Sequence, residues 1–449
     1  MAGFRMHYLL FYFSLACHPC CLAIEDDMKR YWFTAGVMLA PPLLQYTSAA
    51  STPIPPSQDP FYTTPPHFET YSPGAVLRVR TAHGDFSNAI ANCSAAYHIV
   101  YRTTDTRYRP SWAVTTLLLP TSYSPSTAAP LLSYQYPYNS PSPDASPSFD
   151  GPALFVPGSP VPAALGRGWL VVVPDFEGPT ASFGAGVQAG HAVLDSVRAV
   201  LLLSRDRQRL GPPLGAVARY AMWGYSGGSI ASEFAAELAV QYAPELAFAG
   251  AALGGVVPNL TSVLERINGS PYVGDTFAVM AGSLNQYPDA YDLLVGSLKV
   301  QGPYNKTGFL AVREMNISEA FAAYAGQDAF EYFVQGRDIL KAPLIQKVFH
   351  SNAVMGYHGV PQMPLFVYKA IGDRFSSVED TDGLVGRYCG IGATILYQRN
   401  TVGGHLAEIP NGVPRAMAWL VGVLEGTSGP ASGCDIQTVT VNISSIPDF

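Results

Sequence analysis

Charge is scarce in this chain. Only 13% of its 449 residues are Asp, Glu, Lys or Arg, about half the roughly 25% usual in soluble domains. No run of Lys or Arg interrupts the sequence and the formal charge is −7, so nucleic acid is not an expected partner. Cysteine is sparse as well: six residues, of which Cys17, Cys20 and Cys21 fall at the extreme N-terminus. That cluster has no nearby His or Cys pair at ligand spacing, so it is not read as a metal site. Beyond the N-terminal region no stretch reaches 18 consecutive apolar residues, and the mature chain is expected to contain no membrane span. No internal repeat is visible.

Apolar residues, by contrast, make up 48% of the chain, alongside 38 Pro, 42 Gly and 26 Tyr. Such a chain can bury a large core, and wholesale disorder is excluded. Its length exceeds that of a usual single domain, which an α/β core carrying an insertion accommodates.

Residues 1–50 read as a leader. Met28-Lys29-Arg30 supplies a positive start, residues 31–46 an apolar stretch, and Thr47-Ser48-Ala49-Ala50 small residues for cleavage. Residues 28–50 therefore have the pattern of a signal peptide, and 1–27 that of an over-extended gene model. The rival is an anchor over 4–24, interrupted by His18 and Pro19. Cleavage would leave Cys93, Cys389 and Cys434, hence one pair and one spare thiol in an oxidising compartment. Six Asn-x-Ser/Thr triplets are candidate glycosylation sites of a secreted chain: Asn92, Asn259, Asn268, Asn305, Asn316 and Asn442.

Residues 51–66 are proline-rich and extended. Thereafter apolar strand patterns at 113–119, 131–136, 168–173, 220–224, 248–256, 364–370 and 394–398 alternate with helical patterns at 188–207, 229–242 and 413–424. The last of these helices would carry Pro414 in its first turn. Strands apolar on nearly every residue, alternating with helices, predict a mostly parallel, doubly wound α/β sheet. The rhythm breaks over 258–362, where stretches such as 319–332 are helical. The expected organisation is a core of 51–257 and 363–449, capped by a helical lid at 258–362.

The chemistry centres on Gly224-Tyr225-Ser226-Gly227-Gly228, the one G-x-S-x-G of the chain. An apolar strand pattern leads into it and a helical pattern leaves it. A serine on such a turn stands clear of the sheet as a nucleophile, and small residues must flank it because neighbouring backbones approach closely. A serine hydroxyl needs a base, and the base an orienting carboxylate. Asp373 follows the strand pattern 364–370, and His405 follows 394–398 after Gly403-Gly404, which let the chain bend. Glu379, Asp380 and Asp382 are the alternatives to Asp373. His191 on a helix, and His350 and His358 in the insertion, read as structural. One oxyanion donor is expected from the N–H of Gly227, and a second from the loop after 131–136, where Asn139 is either a donor or a plain turn asparagine.

The motifs together resemble the fungal secretory lipase family. The likeness takes in Asp59-Pro60-Phe61-Tyr62-Thr63-Thr64-Pro65, Tyr101-Arg102-Thr103-Thr104-Asp105, Ser133-Tyr134-Gln135 and Glu177-Gly178. It continues through Gly224–Gly228, Tyr242-Ala243-Pro244-Glu245-Leu246, Ala370-Ile371-Gly372-Asp373 and His405-Leu406-Ala407-Glu408. The resemblance implies an α/β-hydrolase core with a helical lid, ester hydrolysis without metal or organic cofactor, and Ser226, Asp373 and His405 as the triad. It also implies a Cys389–Cys434 bridge. Three departures stand out: Asn139 replaces the family's oxyanion-hole aspartate, Ala145 a lid-to-core cysteine, and the short tail after Cys434 leaves little of the family's C-terminal flap. The reading is a secreted serine carboxylester hydrolase, foremost a triacylglycerol lipase acting on lipid or other acyl esters at a lipid–water interface. The alternatives are an esterase, acyltransferase or aminopeptidase using the same triad, or a non-catalytic hydrolase-like binding protein.

Overall fold

The computed structural model describes residues 46–47, 53–83, 86–154, 159–205, 211–427 and 432–443. The leader over 1–50 lies outside the described residues except for Tyr46 and Thr47. Eleven strands are described: β1 Tyr46–Thr47, β2 Val76–Thr81, β3 Cys93–Thr104, β4 Pro110–Pro120, β5 Ala129–Gln135 and β6 Leu170–Pro174, followed by β7 Val217–Tyr225, β8 Gly250–Gly254, β9 Leu365–Ala370, β10 Ile395–Asn400 and β11 Cys434–Val439. They form one sheet in the order β1-β2-β3-β4-β6-β5-β7-β8-β9-β10-β11. From β6 through β5 to β11 every pairing is parallel, whereas β2, β3, β4 and β6 pair antiparallel with one another.

Helices cover both faces, which is why the central strands are buried and apolar on nearly every residue. On one face lie α1 (Gly186–Arg205) and α2 (Gly227–Tyr242), packed with Met222, Leu131 and Leu170. On the other, Leu420 and Ala416 of a C-terminal helix pack with Trp223 and Tyr368. Register aligns Gln135 with Gly224, Tyr225 with Gly254, and Ala370 with Asn400. The loops after β5, β7, β8, β9 and β10 therefore open on one sheet edge, where ligands of such sheets are bound.

Over 258–362 the described chain is helical: α3 Leu260–Arg266, α4 Gly274–Gly282, α5 Pro288–Gly296, α6 Ile317–Tyr324 and α7 Pro343–Asn352. The ring of Phe277 stacks on Tyr324 at 3.9 Å and meets Phe309 and Tyr332. These rings are continuous with the core beneath α1 and α2. The helix expected over 319–332 is shorter. It ends at Tyr324, Gly326 turns left-handed at φ 76°, and one 3-10 turn follows at Ala329–Tyr332.

Two later helices flank the strands that carry the site, α8 (Val378–Ile391) and α9 (Glu408–Glu425). The expected start of α9 at 413 is corrected: Pro414 sits inside the helix. The chain turns helical directly after His405, where Glu408 N–H donates to Gly404 O at 3.0 Å. Strands β2, β3 and β11 had no clear sequence signal. β11 is mostly exposed and polar, and it is held by pairing with β10 and by a disulfide between Cys389 and Cys434. Cys93 is a buried free thiol, which burial pushes up to about 11, so it is a poor nucleophile.

Three of the candidate glycosylation asparagines have a structural use. Asn259, Asn305 and Asn316 are N-caps, and Asn316 forms a capping box with Glu319. Capping employs the side-chain oxygen, so helix starts explain part of the cluster between 259 and 316.

Several buried carboxyls tie the layers together, and they give stability a definite pH dependence. Burial pushes Asp175, bonded to Ser148, up to about 7, and Asp195, bonded to Thr103 and Tyr242, up to about 6. Burial likewise raises Glu177 and Glu233 well above the usual range. The folded state thus keeps protons that the unfolded chain releases near pH 4. Stability present below pH 4 is lost as pH rises through 6–7. Thermal melts are expected to give a Tm at pH 5 higher than at pH 8 by about 5 °C or more; an equal or rising Tm would contradict this.

Candidate active site

Ser226 stands between the end of β7 and the start of α2 with φ 52° and ψ −121°, a strained backbone for any non-glycine residue. Its neighbours permit the turn. A Cβ on Gly228 would lie 1.9 Å from Gln135 O, and one on Gly224 would lie 2.1 Å from Gly228 O. The Ser226 N–H donates to Gly254 O at 3.0 Å, which anchors the turn to β8.

His405 Nε2 lies 2.8 Å from Ser226 Oγ, and His405 Nδ1 lies 2.7 Å from Asp373 Oδ2. Residues 147 and 32 positions apart in sequence thus form one hydrogen-bonded line, with His405 and Asp373 buried. The bend before His405 uses Gly403 at φ 78°. The other carboxylate oxygen, Asp373 Oδ1, accepts from Phe375 N at 2.8 Å and Ser376 N at 3.0 Å. Of the alternatives to Asp373, Asp380 accepts from Ser262 and Asp382 pairs with Arg399, and both sit with Glu379 on α8.

Further residues that sequence reasoning missed fix this line. Lys369 Nζ lies 2.9 Å from Asp373 Oδ2 and donates to Val256 O at 2.8 Å, with both side chains essentially buried. Burial pushes the Asp373 carboxyl up, but the facing His405 and then Lys369 outweigh it and hold the group well below the usual carboxylate range. Burial lowers the Lys369 ammonium, partly offset by Asp373. The Phe375 ring stacks on the His405 imidazole at 4.5 Å, and Tyr225 Oη donates to His405 O at 2.6 Å. A signal for Lys369 existed: a lysine inside the apolar pattern 364–370 must find a buried anion.

Gly227 N–H opens α2 and has no partner within its own helix. Asn139, at φ 45°, packs against Gly227. Its Nδ2 donates to Asp275 Oδ1 at 3.1 Å, while its buried Oδ1 has no partner. The apolar wall beside Ser226 comprises Phe183, Ile230, Val257, Leu260, Val263 and Phe375, and encloses only about 10 Å³, room for one water at most. Leu260 and Val263 belong to α3. His191 lies between Tyr108 and Tyr242 rings and His358 against Phe234, and His350 lies in the last turn of α7; none joins the site. The arrangement can activate an alcohol oxygen and stabilise a negative oxygen beside it.

A family model described as secretory lipase matches residues 159–430. The chain belongs to the secretory lipase family. Trichothecene C-3 esterase of Fusarium sporotrichioides is 46% identical over 410 residues, 89% of this chain and 91% of that one. Lipase A of Arthroderma benhamiae is 34% identical over 88% of this chain and 85% of its own. Among solved structures, Candida antarctica lipase A superposes with a TM-score of 0.75 at 26% identity, over 88% of this chain and 91% of that one. The secretory lipase member described here therefore has the α/β-hydrolase fold and is a carboxylic ester hydrolase. Among its described residues no helix is long and apolar enough to cross a membrane.

Proposed function

We propose that the chain is a secreted serine carboxylester hydrolase working through an acyl-enzyme, with Ser226 as nucleophile. The observation that carries this is the unbroken hydrogen-bonded line from Ser226 Oγ through His405 to Asp373. His405 Nε2 takes the Ser226 proton as Oγ bonds to the ester carbonyl carbon. Asp373 holds the imidazole tautomer and faces the imidazolium. Collapse of the tetrahedral intermediate expels the alcohol, which leaves with the proton from His405. Water, deprotonated by His405, then attacks the acyl carbon; Ser226 departs reprotonated and the acid is released. Gly227 N–H and Asn139 serve the oxyanion. Residues 258–362 act as the lid, because α3 must move before any substrate reaches Ser226. Secretion is supported by the leader pattern and by the disulfide, which suits an oxidising compartment.

For the substrate, we favour an ester joining a small acyl group to a bulky apolar alcohol over a triacylglycerol. The higher identity to the trichothecene esterase than to the lipase supports this; the wall around Ser226 does not decide it, because it opens only when α3 moves. The second reading, a triacylglycerol lipase, is favoured by that wall being apolar, as lipid sites are. Nitrophenyl esters from acetate to palmitate, a trichothecene ester at C-3 and a triolein emulsion separate the two. We expect kcat/KM to fall by about tenfold or more from butyrate to palmitate, with the trichothecene ester cleaved. Palmitate preference with rapid triolein hydrolysis would restore the lipase.

A further inference from the structure

We infer that Asp275, carried by the helical insertion, sets which end of the Asn139 amide faces the oxyanion, so that its proton switches the second donor on and off. The inference rests on the oxyanion role proposed above for Asn139.

The geometry is specific. Asn139 has two amide ends and two neighbours. Its Nδ2 donates to Asp275 Oδ1 at 3.1 Å, and its Oδ1 lies against Gly227, the residue after the nucleophile. That oxygen is buried with no partner. An acceptor aimed beside Gly227 would face the developing negative oxygen, which is repulsive where a donor is wanted. A charged Asp275 can only accept, so it must hold Nδ2 and leave Oδ1 turned inward. A protonated Asp275 can donate to Oδ1. The amide, whose two ends are nearly equal in shape, then turns by half a rotation about its last bond and presents Nδ2–H beside Gly227. Both carboxyl and amide line the small cavity at Ser226, so the exchange takes place at the reacting atoms.

The surroundings favour such a proton. Asp275 is buried, and burial pushes its carboxyl up to about 7, opposed by the Asn139 bond. Glu177, on the loop after β6, is the titratable group that couples to it, and burial holds Glu177 itself well above the usual range. Against α4 pack α6, the turn Ala311–Glu314, α3, the short helix Lys306–Leu310 through Phe309 and the turn Ala329–Tyr332 through Tyr332. Their charged groups are Glu319, bound to Asn316 N; Arg313, bound to Asn285; Glu314; Glu265; Arg266, bound to Arg374 O; Lys306; and Glu331, paired with Lys299. None of them is among the causes of the Asp275 shift. Among the described residues no cation therefore opposes the effect of burial.

The consequence is a limb in the rate profile that His405 cannot produce. A histidine base makes the rate rise with pH, whereas this device makes it fall again as Asp275 ionises. The test measures kcat and KM separately on nitrophenyl butyrate from pH 5 to 9, for wild type, Asp275→Asn, Asp275→Ser and Asn139→Ala, with melts for each. Wild-type kcat is expected to fall on the alkaline side by up to about tenfold per pH unit, with KM little changed. Asp275→Asn can donate at every pH, so it should keep the rate at pH 6 and lose the alkaline fall. Asp275→Ser serves the same purpose if the asparagine variant does not fold. A wild-type kcat flat from pH 7 to 9 overturns the inference without any variant. An alkaline fall unchanged in Asp275→Asn or Asp275→Ser overturns it as well. Asn139→Ala should cost about 10²-fold in kcat at pH 6. A rate there equal to wild type would defeat the oxyanion reading itself, whereas a slow Asn139→Ala beside an unchanged Asp275→Asn profile defeats only the proton switch.

Discussion

Ser226→Ala is expected to lower kcat by about five to six orders of magnitude while leaving the fold intact. The substitution removes one oxygen atom from a half-buried position whose backbone is held by Gly254 O and by the start of α2. It deletes the nucleophile and the hydroxyl that donates to His405 Nε2. His405→Ala should cost about as much, and the double variant no more than either alone, because the two act as one unit. What survives is the contribution of the oxyanion donors and of binding, about 10³-fold over water. Rates on a nitrophenyl ester, with circular dichroism for folding, provide the check. Near-wild-type activity in a folded Ser226→Ala protein would remove the proposed mechanism.

Asp373→Asn is the second large effect, with an expected loss in kcat of about 10⁴-fold. An asparagine in this place retains the acceptor bonds from Phe375 N and Ser376 N through Oδ1. Its Nδ2 then faces His405 Nδ1, which forces the imidazole into the tautomer that cannot take the serine proton. The same change leaves the buried Lys369 ammonium without its anion, at a stability cost of about 3–5 kcal/mol. The two consequences separate in the double variant Asp373→Asn with Lys369→Met. Thermal stability should recover, since no unpaired charge is left, while kcat stays low. A loss of less than about tenfold in Asp373→Asn would mean that the imidazole does not depend on this carboxylate.

Much of the framework could be read from composition and pattern because of where the strands lie. The central strands are buried on both faces, so residues such as Val171, Val172 and Val173 leave an uninterrupted apolar signal. The outer strands leave none: β11 is polar and exposed, and β3, paired antiparallel with β2 and β4, mixes His98, Tyr101 and Arg102 into its pattern. Ser226, Asp373 and His405 were visible because each follows a strand pattern at a turn, and the structure brings their side chains within hydrogen-bond reach. Phe375 and Tyr225 were not singled out, because what they do is set by packing rather than by local spacing, and Lys369 left only one sign, a charge inside an apolar strand pattern. Asp275 was hidden for a stronger reason. It arrives from the insertion, and its contact with Asn139 spans 136 positions.

The most direct test of the central claim is labelling of the purified protein with a fluorophosphonate, followed by mapping of the adduct. The account predicts a single adduct on Ser226, formed in step with loss of esterase activity and absent from His405→Ala. An active enzyme that resists the reagent, or an adduct on a different serine that abolishes activity, would contradict it.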